Sequence, residues 1–171
     1  MVGYAGADSL AGLQGDDVLY GRQGDDSLSG GLGNDVAEGG DGADLVAGDE
    51  GADTLKGDAG DDTVRGGSGY DYIDGGVGSD SLLGELGNDT LYGQDGDDTL
   101  DGGAGNDFMV GGRGSDTYVF GRGAGQDRIR NNENYVWGSP ENKTDVVRFS
   151  DLVASDVVFR RVSGSGYWWS N

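Results

Sequence analysis

From Gly3 to Val119 the chain repeats every nine residues without an insertion. Thirteen consecutive nonapeptides carry Gly at the first and fourth positions, Asp at the sixth and an apolar residue at the eighth, so the unit reads G-x-x-G-x-D-x-U-x. A period held this strictly points to a repeat architecture, in which one unit cannot bury its apolar side alone and does so by stacking on its neighbours. The first six residues of each unit read as turn material and the last three as a short strand. Strands alternate their side chains, so an inward eighth residue sends the seventh and ninth outward. The inward set is Leu10, Leu19, Leu28, Ala37, Val46, Leu55, Val64, Ile73, Leu82, Leu91, Leu100, Met109 and Tyr118. Outward positions hold Ser, Thr, Val, Tyr, Lys, Arg and Asp among others, a pattern of one-sided burial. Glycine at the turns answers two demands, a positive φ and close stacking of one loop on the next.

Burial alone is a weak folding force for such a chain. Only 34% of its 171 residues are hydrophobic, and 38 are glycine, which loses the most backbone freedom on ordering. The charge shows what supplies the rest. The net charge is −21, and the repeats carry the imbalance: 26 acids against Arg22, Lys56, Arg65 and Arg113 between Gly3 and Val119, but six acids against seven bases beyond. Such acidity excludes nucleic acid as a partner, because phosphates would be repelled, and points to cations. With neither Cys nor His in the chain, disulfides, transition-metal sites and Ser-His or Cys-His nucleophile pairs fall away. Oxygen donors remain, and they select hard cations.

The stretches Gly102-Gly103-Ala104-Gly105-Asn106-Asp107, Gly30-Gly31-Leu32-Gly33-Asn34-Asp35 and Gly84-Glu85-Leu86-Gly87-Asn88-Asp89, each followed by an apolar strand, resemble the haemolysin-type calcium-binding nonapeptide repeats of RTX proteins. The resemblance covers Gly3 to Val119 and implies an all-β fold, a right-handed parallel β-roll with 18 residues, or two units, per coil. Odd-numbered repeats then stack in one sheet, with the inward ladder Leu10, Leu28, Val46, Val64, Leu82, Leu100 and Tyr118. Even-numbered repeats form the other, with Leu19, Ala37, Leu55, Ile73, Leu91 and Met109. Six and a half coils at ~4.8 Å between paired strands make a roll roughly 30 Å long.

The resemblance also implies the ligands for calcium, which takes six to eight oxygens at about 2.3–2.6 Å. The sixth-position carboxylates are Asp8, Asp17, Asp26, Asp35, Asp44, Asp53, Asp62, Asp71, Asp80, Asp89, Asp98, Asp107 and Asp116. Backbone carbonyls of the first and third positions join them, the first-position set being Gly12, Gly21, Gly30, Gly39, Gly48, Gly57, Gly66, Gly75, Gly84, Gly93 and Gly102. One loop offers half a shell and the loop two repeats later the other half, so pairs from Asp8 with Asp26 to Asp98 with Asp116 give about eleven full sites. Fifth-position Asp16, Asp25, Asn34, Asp61, Asn88, Asp97 and Asn106 read as turn stabilisers, with added ligands at half-sites as the alternative. The second position departs from the fuller family pattern: it is Gly in six repeats and Tyr4, Leu13, Arg22, Asp49, Asp58, Glu85 or Gln94 elsewhere, which bears on the geometry of those loops.

The roll occupies 3–119 and a β-structured capping segment 120–171. Phe120 to Ile129 resembles a degenerate closing repeat, and 131–144 is a polar loop holding the only proline, Pro140. Two strands follow, at Asp145–Phe149 and Val157–Arg161, and a turn at Ser163–Gly166 leads to Tyr167-Trp168-Trp169. A solenoid end exposes an open sheet edge and its last apolar rung. Tyr135, Trp137, Phe149, Phe159, Tyr167, Trp168 and Trp169 are the material to cover it.

The expected function is a monomeric calcium-binding module that folds on calcium outside the cell, within a larger bacterial toxin, protease, lipase or adhesin. RTX proteins resemble one another in type I export read from the far C-terminus. That fits a start at Met1-Val2-Gly3-Tyr4-Ala5 with no basic residue or apolar run. No stretch has transmembrane length. The alternative is an adhesive or carbohydrate-binding module, with the tail aromatics or outer strand faces meeting a glycan or cell-surface partner. An enzyme is not expected, since these acids repeat by translation and a catalytic pair needs two unlike environments to separate its pKa values.

Overall fold

The computed structural model describes residues 1–121, 123–130 and 145–150, together with the backbone of 160–162 and 167–170. In chain order the strands are β1 (Ser9–Gln14), β2 (Val18–Gln23), β3 (Ser27–Leu32), β4 (Val36–Asp41), β5 (Leu45–Glu50), β6 (Thr54–Ala59), β7 (Thr63–Gly69), β8 (Tyr72–Val77), β9 (Ser81–Gly87), β10 (Thr90–Asp95), β11 (Thr99–Asp101), β12 (Phe108–Arg113), β13 (Thr117–Phe120), β14 (Asp127–Arg130), β15 (Val146–Phe149), β16 (Arg160–Val162) and β17 (Tyr167–Ser170). Odd-numbered strands from β1 to β15 pair in parallel as one sheet. Even-numbered strands from β2 to β14 form the other, extended by β17 and then β16 in antiparallel sense. The result is an all-β solenoid of about 7 turns with ~18 residues per turn, as the repeat predicts. Register keeps like positions opposite one another: Leu10 pairs with Leu28, and Leu28 with Val46.

The predicted inward ladders form the core. Every eighth-position side chain from Leu19 to Tyr118 is buried, and Leu10 packs partly buried against the first of them. Each large aliphatic side chain so buried contributes roughly 1.5–3 kcal/mol. Alternation carries the next inward position onto the first glycine of the following unit, buried in β2 at Gly21 and in β4 at Gly39. The interior is therefore built of apolar side chains next to bare backbone.

The strands are longer than the sequence reading allowed. Most span six residues, from the seventh position of one unit through the third of the next. The first three positions, read as turn material, stay in the ladder despite a positive φ at the second, where Leu13 pairs with Gly31 and Asp49 with Gly67. Six of the seven non-glycine second positions keep this geometry; Tyr4, in the first repeat, lies outside the strands and has no left-handed φ. Leu13, Arg22, Asp49, Asp58, Glu85 and Gln94 adopt φ of 80°, 90°, 75°, 73°, 72° and 79°, in the left-handed region that Gly31 and Gly40 occupy at 107° and 116°. Each such residue costs about 1–2 kcal/mol, offset by the pairing on either side.

Beyond Val119 both sheets gain a rung. Met109 pairs with Ile129 in one, and Tyr118 with Val147 in the other. Phe120 and Ile129 are buried and close the core, with the Phe149 ring 6.2 Å from that of Phe120. The strand expected at 145–149 is β15. The one expected at 157–161 appears as β16, with 157–159 outside the described residues, as are Tyr135, Trp137, Pro140, Phe159, the turn at 163–166 and the side chains of Tyr167, Trp168 and Trp169. At the other end, Val2 bridges to Tyr20 and Ala5 to Gln23.

Candidate metal centre

The sixth-position aspartates end each turn just before the strand begins, and stacking brings them into two columns. In each column one carboxylate oxygen is committed to the coil below: the Asp44 N–H donates to Asp62 Oδ1 at 2.7 Å, and the Asp62 N–H to Asp80 Oδ1 at 2.9 Å. The same bond joins every pair from Asp8 with Asp26 to Asp98 with Asp116, at 2.7–3.1 Å. These are the partners expected from an 18-residue coil.

The second oxygen is the unusual one. From Asp26 to Asp107, ten buried Oδ2 atoms have no hydrogen-bond partner. Their positions follow from the first-position glycines. A Cβ built on Gly75 would meet Asp80 Oδ2 at 2.5 Å and the Gly93 carbonyl oxygen, one coil on, at 2.9 Å. Each Oδ2 thus lies in a space that a side chain would fill, and from Asp26 to Asp98 a backbone carbonyl of the following coil borders the same space. Those facing carbonyls run in steps of nine from Gly21 to Gly111, while Gly12 lends its bare Cα to the space holding Asp17 Oδ2. First-position glycine is required by this space and not by its φ, which lies outside the left-handed region.

Third-position carbonyls, also expected to face the ions, accept N–H bonds from the fourth-position glycine of the preceding coil, such as Gly24 N–H to Asp41 O at 2.7 Å. Fifth-position side chains tie coil to coil in the opposite sense to the sixth. Asp16 Oδ1 accepts the Asn34 N–H at 2.8 Å, and Asn88 Oδ1 the Asn106 N–H at 2.7 Å.

Burial shifts the titration of the columns. Desolvation, the largest cause, pushes Asp53 up to about 6 and Asp62, Asp89 and Asp98 to about 7. The N–H bond from the neighbouring coil opposes the shift, and the adjacent carboxylates of the column add to it. Asp44, Asp71, Asp80 and Asp107 move the same way. A buried carboxylate without a counter-charge is costly, and a column of them compounds the cost. Among the described residues no three or more Asp or Glu side chains converge as a metal-holding group. A cation bound between coils therefore takes most of its oxygens from backbone carbonyls or water. Calcium's high, flexible coordination number and preference for oxygen suit that donor set.

Sequence reasoning missed two members of these columns. Asp127 Oδ1 accepts the Asp107 N–H and Asp145 Oδ1 the Asp116 N–H, both at 3.0 Å. Each begins an Asp-x-apolar step, Asp127-Arg128-Ile129 and Asp145-Val146-Val147, which was their signal once the period had broken.

The model of the RTX calcium-binding nonapeptide repeat family matches in overlapping copies at residues 2–37, 38–73, 56–91, 74–109, 83–118 and 92–129. No curated protein matches the chain. No helix among the described residues is long and apolar enough to cross a membrane.

Proposed function

The chain belongs to the RTX calcium-binding nonapeptide repeat family, and from that premise we propose that it is a module whose folding is driven by calcium held between its coils. The observation that carries this reading is the column of buried, unpartnered Asp Oδ2 atoms beside first-position carbonyls. Asp8 to Asp116, at every ninth residue, would hold the ions with carbonyls of the first-position glycines, giving about eleven sites between repeats two apart. Calcium supplies the positive charge that the acidic interior lacks. In the calcium-poor cytoplasm the self-repelling, glycine-rich chain stays extended and fit for type I export. Outside the cell, calcium folds it as part of a larger secreted protein, with the roll at 3–119 closed by 120–171.

Circular dichroism with chelator and with calcium tests this. The expected result is a disordered spectrum in chelator and a β spectrum with calcium, with little response to magnesium, whose smaller octahedral shell dehydrates reluctantly. A full β spectrum in chelator overturns the reading. The adhesive alternative has one observation in its favour, an aromatic row on the outer face of the even-numbered sheet. Tyr72, Tyr92 and Phe108 stand with ring centroids 5.6 and 6.2 Å apart. Glycan-array binding by the calcium-loaded chain, lost in Tyr72→Ala, would support it.

A further inference from the structure

The cap carries a loop that stacks on the last even-numbered repeat as the repeats stack on one another, although it lies outside the nonapeptides. Asp127 presents Oδ1 to the Asp107 N–H at 3.0 Å, the bond that Asp107 in turn makes to the Asp89 N–H at 2.8 Å. Gly125 bridges to Gly105, and the Gly105 N–H donates to the Ala124 carbonyl at 3.0 Å. The Gln126 N–H continues the fifth-position column by donating to Asn106 Oδ1 at 2.9 Å. All of this holds although Asp107 and Asp127 are 20 residues apart and repeat pairs 18.

We propose that Asp107 and Asp127 hold a calcium ion between the twelfth repeat and the cap, a site that the nonapeptide pattern does not include. The proposal rests on the calcium reading of the roll. Asp127 is 2% exposed and Asp107 1%, their two carboxyls are side-chain neighbours, and Asp107 Oδ2 is buried beside Gly102 with no N–H or O–H donor. In the repeats a first-position carbonyl of the following coil borders that space, whereas the atoms nearest the space beside Gly102 are those of Asp107 itself, so what the cap brings to the site is the Asp127 carboxyl. Arg128, the basic neighbour of Asp127, occupies an exposed outward position, its guanidinium 5.5 Å from the centre of the Phe108 ring. An ion here makes closure of the roll's end, through β14, dependent on calcium.

Native mass spectrometry at saturating calcium counts the ions. Asp127→Asn keeps an oxygen for the Asp107 N–H and removes the charge; it is expected to fold and hold one ion fewer than the wild type. A wild-type count in Asp127→Asn overturns the cap site and leaves the reading of the roll intact, whereas a wild type that binds no calcium overturns that reading itself. If Asp127→Asn fails to fold at saturating calcium, Asp127→Glu decides. Folding with the full count supports the site, because the variant restores the carboxylate. Failure to fold, or folding with an ion missing, assigns Asp127 a packing role and overturns the site.

Discussion

Gly75→Ala separates the demand of the metal space from that of backbone conformation. Gly75 lies in β8 with φ outside the left-handed region, so alanine meets no conformational penalty there. Its Cβ would stand 2.5 Å from Asp80 Oδ2 and 2.9 Å from the Gly93 carbonyl oxygen, where ordinary contact begins at 3.4 Å and real Cβ atoms essentially never come under 3.0 Å. Asp80 Oδ2 must therefore retreat by about 0.5–0.9 Å, which exceeds the ~0.3 Å window of calcium–oxygen distances. The carboxylate is lost as a ligand, and overpacking of this kind costs about 1–3 kcal/mol. That raises the calcium midpoint roughly five- to hundredfold, at tenfold per ~1.4 kcal/mol. Ile73→Val, two residues earlier on the same strand, is the matched control: it removes one buried methylene at about 0.5–1.5 kcal/mol and touches no carboxylate. Calorimetric titration and native mass spectrometry of both variants should show fewer ions bound by Gly75→Ala and the full number by Ile73→Val. An unchanged ion count and midpoint in Gly75→Ala would refute the placement of the ion beside the first-position glycine.

Three further outcomes follow from the same geometry. Because Asp53, Asp62, Asp89 and Asp98 titrate at about 6 to 7 in the folded roll against 3.8 when unfolded, the metal-free roll is favoured in acid and loses stability as pH rises from about 4 through 7. Circular dichroism in chelator should show more β structure at pH 5 than at pH 8, and the opposite order contradicts the burial of these groups. Asp62→Ala removes the acceptor of the Asp44 N–H and interrupts two adjacent calcium pairs, whereas Asp8→Ala interrupts one at the first coil. Since solenoid stability is a sum of neighbour terms, thermal melts at saturating calcium should fall further for Asp62→Ala, and equal losses would argue against shared ligands. Asp58→Gly relieves a left-handed φ of 73° and removes an acid crowded by Glu38, Asp74 and Asp41. It should raise stability by about 0.5–1 kcal/mol after the entropy of glycine is subtracted, and a fall in melting temperature counts against the strain.

Much of this molecule is visible in one line of sequence because its period is the geometry. Nine residues make a strand and a turn, so Leu28 and Val46 had to share a ladder once Asp26 and Asp44 shared a phase. The strand ends were not visible. Positions such as Gly12-Leu13-Gln14 look like turn residues, yet parallel stacking lets each copy pair with the next whatever its intrinsic preference, because a neighbour of identical backbone shape lies ~4.8 Å away. Asp127 and Asp145 were hidden for the converse reason. Their environment repeats, but spacings of 20 and 29 residues to the column partner conceal it from any reading keyed to nine.

The contrast between the first and second positions shows what constrains the unit. Both precede the turn, and both invite assignment to backbone freedom. The second position has the left-handed φ, and six of its residues carry side chains there regardless, Leu13 with 71% of its surface exposed. Conformational strain of about 1–2 kcal/mol is local, and two flanking rungs of pairing tolerate it. The first position has no such φ and is glycine in all thirteen repeats. A side chain there does not strain its own backbone. It displaces the carboxylate of its own unit and the carbonyl of the next coil, two of the oxygens assigned to the ion, so the penalty spreads to both coils that the ion joins. The invariant glycine is thus the mark of the space reserved between coils, and the varied one is only the mark of a turn.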